Sequence, residues 1–141
     1  MSLIELVFLG HSSPSPILED EFKEFVRMAR AWNFNHDVTG AILYGEDYFA
    51  QILEGDFYNI DKVCRKIKYY SPHKKLVQLD CRPMKLRSFH GYPALCISAS
   101  QLAKRVPDLA DDLKDFNPLE ESRLLKVMRE FSKFHFDFKS G

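Results

Sequence analysis

The sequence lacks an excess of charge of either sign, since its 141 residues include 20 Lys plus Arg and 20 Asp plus Glu. This balance gives no electrostatic footprint for a polyanion, so we expect neither nucleic acid nor an anionic membrane as a partner. No apolar run approaches membrane-spanning length, and the N-terminal segment lacks the charged-then-apolar order of a signal peptide. These absences predict a cytoplasmic protein.

Residues with obvious reactive chemistry are also scarce. The three cysteines, Cys64, Cys81 and Cys96, are widely spaced in apolar surroundings, which indicates reduced structural thiols. The five histidines show no ligand spacing on a common helix face, so we expect no metal site. The chain contains no GxGxxG, no Walker loop and no GxSxG. No catalytic residues are therefore predicted, and the chain is not expected to be an enzyme.

The pattern of apolar residues instead predicts an α+β domain. Strands are predicted at 3–10, 38–44, 48–53, 75–84 and 93–98, and helices at 18–32 and 57–70. The resulting order, βαββαββ, suggests a ferredoxin-like sandwich with both helices on one face of the sheet.

Two additional helices are predicted after this domain, at 100–115 and 118–134. Asn117 as N-cap, Pro118 at the first helical position and Glu120 at the third form a recognisable helix start. We expect residues 1–98 to form one domain and residues 99–141 a helical extension packed on it. The apolar stripes of these helices must be buried either against the sheet face opposite the first two helices or against a second subunit.

The hairpin at 38–56 contains one unusual residue. Its strands are rich in apolar, aromatic and β-branched side chains, which is typical of central strands. Gln51 stands in the middle of the second strand and shares a face with Leu53. Gln51 is either exposed on an edge strand, as glutamine usually is, or buried with two donors and two lone pairs to satisfy.

The hairpin resembles the central motif of BLUF domains, the flavin-based blue-light sensors. The motif is T-G-x-(I/L)-(L/x)-Y, then a short turn, then F-x-Q-x-L-E-G. It falls on Thr39, Gly40, Ile42, Leu43, Tyr44, Phe49, Gln51, Leu53, Glu54 and Gly55. The resemblance extends from about Leu3 to Ser98 and does not cover the C-terminal segment well.

The resemblance implies FAD held without a covalent bond between the two helices. Gln51 falls on the glutamine that hydrogen-bonds the flavin, and Asn33 falls on the asparagine that holds the pyrimidine edge. Ile67 falls on an apolar helix position that packs against the ring, and His73 follows the second helix as the family's histidine does.

Other positions depart from the family pattern. The strand-one tyrosine, which donates an electron and a proton in the family, is Phe8, and phenylalanine has no hydroxyl. On the first helix, positions that leave a slot for the ring carry Phe25 and Trp32. These two aromatic side chains either line the ring by stacking or fill its slot.

The resemblance therefore implies an FAD-binding blue-light sensor or signalling protein with an impaired or atypical photocycle. Short family members transmit through separate proteins, so a separate output partner and a homo-oligomer are expected. The alternative is a flavin-free BLUF-fold module for protein–protein interaction, in which Gln51 and Asn33 are structural remnants.

Overall fold

A computed structural model describes residues 2–11, 19–44, 48–70, 75–98 and 104 of the chain. The strands are β1 (Leu3–His11), β2 (Thr39–Tyr44), β3 (Tyr48–Asp56), β4 (Lys75–Pro83) and β5 (Leu95–Ser98), and the helices are α1 (Glu19–Asn35) and α2 (Phe57–Tyr70). The predicted order βαββαββ is confirmed. The helices predicted at 100–115 and 118–134 lie outside the described residues.

The five strands form one sheet in the order β4-β1-β3-β2-β5. The β1–β3, β1–β4 and β2–β3 pairs are antiparallel, and β5 pairs with β2 in parallel. The strand β3 is central and has neighbours on both sides, as its apolar character predicts. Both helices pack on one face of the sheet, which confirms the ferredoxin-like α+β architecture.

The end of α1 differs from the prediction, which placed a turn at 33–37. The helix continues to Asn35 because Asp37 adopts a φ of 53° and closes a Schellman motif. In this motif the Val38 N–H donates to the Asn33 carbonyl at 2.8 Å, and the Asp37 N–H donates to the Phe34 carbonyl at 3.4 Å. Asn33 therefore lies in the last turn of α1.

The start of α2 agrees with the prediction. The Asp56 carboxylate accepts a hydrogen bond from the Tyr58 N–H at 2.9 Å, so Asp56 caps the helix. The predicted apolar stripe is buried against the sheet and consists of Ile60, Val63, Cys64 and Ile67. The basic residues of α2 are exposed, as a solvated helix face predicts.

The main core lies between the helices and the sheet. The chief contributors from the helices are Phe22, Phe25, Val26, Ala29, Val63 and Ile67, and those from the sheet are Leu6, Phe8, Ile42 and Leu53. The opposite face of the sheet is buried as well, with Val7, Ala41, Leu43, Ala50 and Ile52 at most 1% exposed. Burial of both faces accounts for the nearly continuous apolar runs of β1, β2 and β3.

The three cysteines are free thiols, and they differ in exposure. Burial raises the pKa of the Cys64 thiol to about 12, so this thiol stays protonated. Cys96 is half-buried, whereas Cys81 is exposed because it lies on β4 at the edge of the described sheet. No helix among the described residues is long and apolar enough to cross a membrane.

The close pairing of β2 with β3 depends on Gly40. A Cβ atom added there would lie 1.8 Å from the Ile52 carbonyl oxygen, which belongs to the backbone and cannot move aside alone. We expect Gly40→Ala to lower the free energy of unfolding by roughly 3 kcal/mol or more. Urea denaturation measures this change.

Gly91→Ala is the matched control. Nothing lies within 4 Å of a Cβ atom at Gly91, so only its φ of 85° opposes the substitution. That conformation costs alanine about 1–2 kcal/mol. A smaller loss for Gly40→Ala than for Gly91→Ala would contradict the steric account.

Candidate functional site

The centre of the candidate site is a row of residues that crosses the whole sheet. The paired positions in this row are Gln78 on β4, Phe8 on β1, Gln51 on β3, Ile42 on β2 and Cys96 on β5. Gln51 occupies the middle of the row and is 0% exposed. The interpretation of Gln51 as an exposed edge residue is therefore wrong.

The Gln51 side chain points into the layer between the sheet and the helices. Its direct partners Phe8 and Ile42 both belong to the core cluster that contains α1 and α2, and paired residues of a ladder share a face. Neither Nε2 nor Oε1 of Gln51 has a hydrogen-bond partner among the described residues. Leaving such a buried polar group unsatisfied costs roughly 1–3 kcal/mol.

Asn33 is the second buried amide at this layer. It lies in the last turn of α1, is fully buried and donates from Nδ2 to the Pro93 carbonyl at 2.6 Å. Its Oδ1 atom has no partner in the described part of the chain. One helical turn earlier, Arg30 Nε donates to the Ala94 carbonyl at 3.0 Å. Both side chains thus bind the backbone immediately before β5.

Phe25 of α1 and Ile67 of α2 belong to the same core cluster. Both are essentially inaccessible to solvent. Trp32 is half-buried against this cluster, with its ring centroid 6.2 Å from that of Phe25 in an edge-on arrangement. The Trp32 centroid also lies 5.6 Å from that of Tyr70, the last residue of α2.

Phe8 and His73 are the two remaining predicted site residues. Phe8 lies directly beside Gln51 in the ladder and is 2% exposed, so an apolar ring adjoins the unsatisfied amide. His73 lies outside the described residues. The structure therefore brings Gln51, Asn33, Ile67, Phe25, Trp32 and Phe8 to one layer of the fold.

A buried carboxylate near this layer was not predicted as a site residue. Glu54 is fully buried on the other face of β3 and accepts hydrogen bonds from the Ser88 N–H (2.7 Å), the Phe89 N–H (3.0 Å) and Thr39 Oγ1 (3.0 Å). Arg87 donates to Thr39 Oγ1 and to the Glu54 carbonyl. A charged residue inside an otherwise apolar strand was the available signal.

The electrostatics of Glu54 are set mainly by burial, which raises the pKa of its carboxyl above the ordinary value. The N–H groups of Ser88 and Phe89 oppose this shift, and Glu5 adds to it. Glu5 is the direct cross-strand partner of Glu54 and forms a 3.2 Å ion pair with Arg82. Through its bonds to the Ser88 and Phe89 N–H groups, Glu54 thus holds the segment before Pro93 and β5 against β3.

A surface groove of about 430 Å³ lies between α1 and β5. It is lined by Phe22, Lys23, Val26, Arg27, Arg30 and Cys96. No cluster of metal-ligating side chains occurs among the residues that the structure describes. The unsatisfied atoms of Gln51 and Asn33 are suited instead to the edge of a planar group that carries both donors and acceptors.

Comparison with protein families identifies one match. The family model for BLUF, described as sensors of blue-light using FAD, matches residues 3–94. No curated protein sequence matches the chain.

Solved structures give the same fold. The chain is similar to BlrB, a BLUF protein in its dark state, with a TM-score of 0.75 and 22% identity over 91% of this chain and 96% of that chain. It is similar to BlsA in a photo-activated state, with a TM-score of 0.74 and 19% identity over 92% and 94% of the two chains.

A bacterial light-regulated adenylyl cyclase is also similar, with a TM-score of 0.68 and 21% identity. The match covers 88% of this chain but 36% of the cyclase chain. At these identities the similarities establish the fold.

The unsatisfied amide predicts an unusual effect on stability. Gln51→Met keeps the length of the side chain and removes the buried donors and acceptor, so we expect the ligand-free chain to gain about 1–2 kcal/mol of unfolding free energy. Gln78→Met is the control, because Gln78 lies in the same row but is exposed. Urea denaturation should show a gain for Gln51→Met alone, and a loss there would mean that the amide is satisfied.

The raised pKa of Glu54 predicts a pH dependence with a defined sign. A raised pKa means that the folded state binds the proton of Glu54 more tightly than the unfolded state does. The resulting stabilisation of the fold is complete below the ordinary carboxyl pKa near 4.5 and is lost as pH rises through the raised pKa. Relative to Glu54→Gln, the unmodified chain should gain unfolding free energy as pH falls from neutrality toward that value. Parallel urea titrations measure the difference. A relative loss would show that the N–H groups of Ser88 and Phe89 outweigh burial.

Proposed function

The chain belongs to the BLUF family, and from this premise we propose that it binds FAD without a covalent bond and acts as a signalling protein with an atypical response to blue light. The observation that carries the proposal is the unsatisfied Gln51 amide, buried at the centre of the sheet. A bound flavin edge would supply the partners that the protein does not. FAD is proposed over other flavins because the family description names it.

The residues between the sheet and the helices would contribute hydrogen bonds and apolar contacts to the flavin. Gln51 can donate from Nε2 and accept at Oε1, and the free Oδ1 of Asn33 can accept while its Nδ2 remains bound to Pro93. Ile67 and Phe25 supply apolar surface and exclude water. Flavin, when bound, supplies absorption of blue light and the capacity to accept an electron.

The response to light is proposed to be atypical because of Phe8. A tyrosine at this position would carry a phenol beside the Gln51 amide, able to hydrogen-bond it and release a proton. Phe8 can do neither. The residue paired with Gln51 on β1 therefore offers no hydroxyl that could change the hydrogen bonds of the amide. The ordinary red-shifting photocycle is therefore not expected.

The signal is proposed to leave through the segment that precedes β5. Asn33 and Arg30 hold the carbonyls of Pro93 and Ala94, so a change at Asn33 reaches the backbone of this segment directly. A separate output protein would then respond, and a homo-oligomer and a cytoplasmic location remain predictions. Cyclase activity is not carried over from the similar cyclase, because most of that chain has no counterpart here.

A second candidate function has one specific observation in its favour. Gln51, Phe25 and Ile67 are all closed off from solvent, so the side chains of this chain already fill the space around the amide. On this account the protein is a flavin-free BLUF-fold module that binds another protein. A chain that takes up no FAD under any condition would favour this function.

Titration with FAD tests the proposed site. The unmodified chain should bind FAD with quenching of flavin fluorescence, and Gln51→Met should bind it at least ~10-fold more weakly, because about 1.4 kcal/mol of hydrogen bonding is lost. Gln78→Met, in the same row but exposed, should bind as the unmodified chain does. Equal affinities for all three chains would place the flavin elsewhere and contradict the proposal.

Restoring the missing hydroxyl tests the proposed photochemistry. Illumination of the FAD-loaded chain should give no reversible red shift of the flavin absorption band. Phe8→Tyr should give one, because the phenol then adjoins Gln51 in the ladder. The double variant Phe8→Tyr with Gln51→Met is the control and should give none. A red shift in the unmodified chain would refute the assignment to Phe8.

A further inference from the structure

The layer that holds Gln51 is closed along the line where α1 packs against α2, here termed the α1–α2 seam. Gln51 and Ile67 have no solvent-accessible surface, and Phe25 has almost none. No water-sized space therefore touches the Gln51 amide. A planar ligand can reach the unsatisfied atoms of Gln51 through this seam only if some side chain moves.

The side chains at the seam differ in their freedom to move. Phe25 and Ile67 are buried in the core cluster, so they can shift to admit a ligand only after the side chains outside them have moved. Trp32 is half-buried, and Tyr70 is 53% exposed. These two side chains can change rotamer into solvent without any change in the helix backbones.

Trp32 and Tyr70 also bridge the seam. Their ring centroids lie 5.6 Å apart with the planes inclined by 37°, and one residue belongs to α1 and the other to α2. Phe25 contacts Trp32 from the buried side, and Tyr69 contacts Tyr70 from the exposed side at 4.8 Å. A continuous chain of aromatic contacts thus runs from the core to the surface across the seam.

We infer that Trp32 and Tyr70 form an aromatic gate that closes the flavin site and must swing aside before the cofactor enters. The inference rests on the proposed function, since the gate has no purpose without a ligand for Gln51. It assigns Trp32 to a blocking position rather than to a lining one. In the closed arrangement the aromatic rings pack against one another, but Nε2 and Oε1 of Gln51 and Oδ1 of Asn33 have no hydrogen-bond partner among the residues that the structure describes. A ligand that bonds these atoms would therefore stabilise the open arrangement.

A gate of this kind lowers the apparent affinity by the fraction of molecules in which it is open. Removing one side of the gate should therefore tighten binding by the reciprocal of that fraction. If Trp32 instead stacks on the bound ring, its removal weakens binding, because aromatic stacking is lost. The two assignments of Trp32 thus predict opposite signs for the same substitution.

The test is the affinity for FAD of Trp32→Ala, of Tyr70→Ala and of the control Phe34→Ala. Phe34 is an aromatic residue of the same helix that is 75% exposed, so its removal should leave the affinity unchanged. We expect Trp32→Ala and Tyr70→Ala each to bind FAD at least ~10-fold more tightly than the unmodified chain, which corresponds to an open fraction of about one tenth or less. Weaker or unchanged binding by both variants would overturn the gate.

A second readout does not depend on any light response. Trp32 is the only tryptophan in the chain, so its fluorescence reports on the gate alone. In the ligand-free protein, Tyr70→Ala should shift the Trp32 emission toward longer wavelength, as the indole becomes more exposed, and Phe34→Ala should not. An unchanged emission would contradict the contact between Trp32 and Tyr70.

The outcomes separate the gate from the proposed function. Binding by the unmodified chain and the variants with equal affinity would refute the gate and leave the flavin site intact. The absence of binding by every chain, with folding confirmed by circular dichroism, would refute both. Tight binding by the variants and weak binding by the unmodified chain would support both.

Discussion

The physical constraint on which the rest of this structure depends is an amide without a partner at the centre of a sheet. Gln51 lies in the middle strand, in the middle of a row of five paired residues, and has no exposed surface. Proteins rarely leave such a group unsatisfied, because the cost of roughly 1–3 kcal/mol is a large share of the stability of a domain. An apolar residue at position 51 would avoid that cost, and a bound ligand that carries donors and acceptors would offset it.

The surrounding structure holds this amide and its neighbours in fixed positions. Asn33 is fixed because the Schellman motif at Asp37 extends α1 by a further turn, and its Nδ2 atom is committed to Pro93. On the other face of β3, Glu54 binds the Ser88 and Phe89 N–H groups. The segment before β5 is therefore attached to both α1 and β3, which couples the site to the edge of the sheet.

Much of the fold could be predicted from sequence, because the signals were local. Alternation of apolar residues placed the strands, and Asp56 marked the start of α2 with a cap that the structure contains. The end of α1 was placed too early, because the run from Asn33 to Asp37 has turn-forming residues and the left-handed Asp37 conformation is a tertiary outcome. The role of Glu54 was missed because its partners lie 34 and 35 residues along the chain.

For the site, the sequence placed the residues through a family motif but left the role of Trp32 and Phe25 open. Stacking on a ligand and filling its slot require the same residue types, so composition cannot distinguish them. The ring contact between Trp32 and Tyr70 across the α1–α2 seam supports the blocking role proposed for Trp32. In the proposed site, the unsatisfied amides of Gln51 and Asn33 are the polar groups for the ligand, and the α1–α2 seam is its closed entrance.

The most direct test of the flavin site is the nuclear magnetic resonance spectrum of the side-chain amides in ¹⁵N-labelled protein, recorded before and after addition of FAD. The account predicts that the resonances of Gln51 and Asn33 shift on binding, because both groups gain or change hydrogen-bond partners. The exposed Gln78, in the same row of the sheet, should keep its resonance. Bound FAD with unchanged Gln51 and Asn33 resonances would contradict the account.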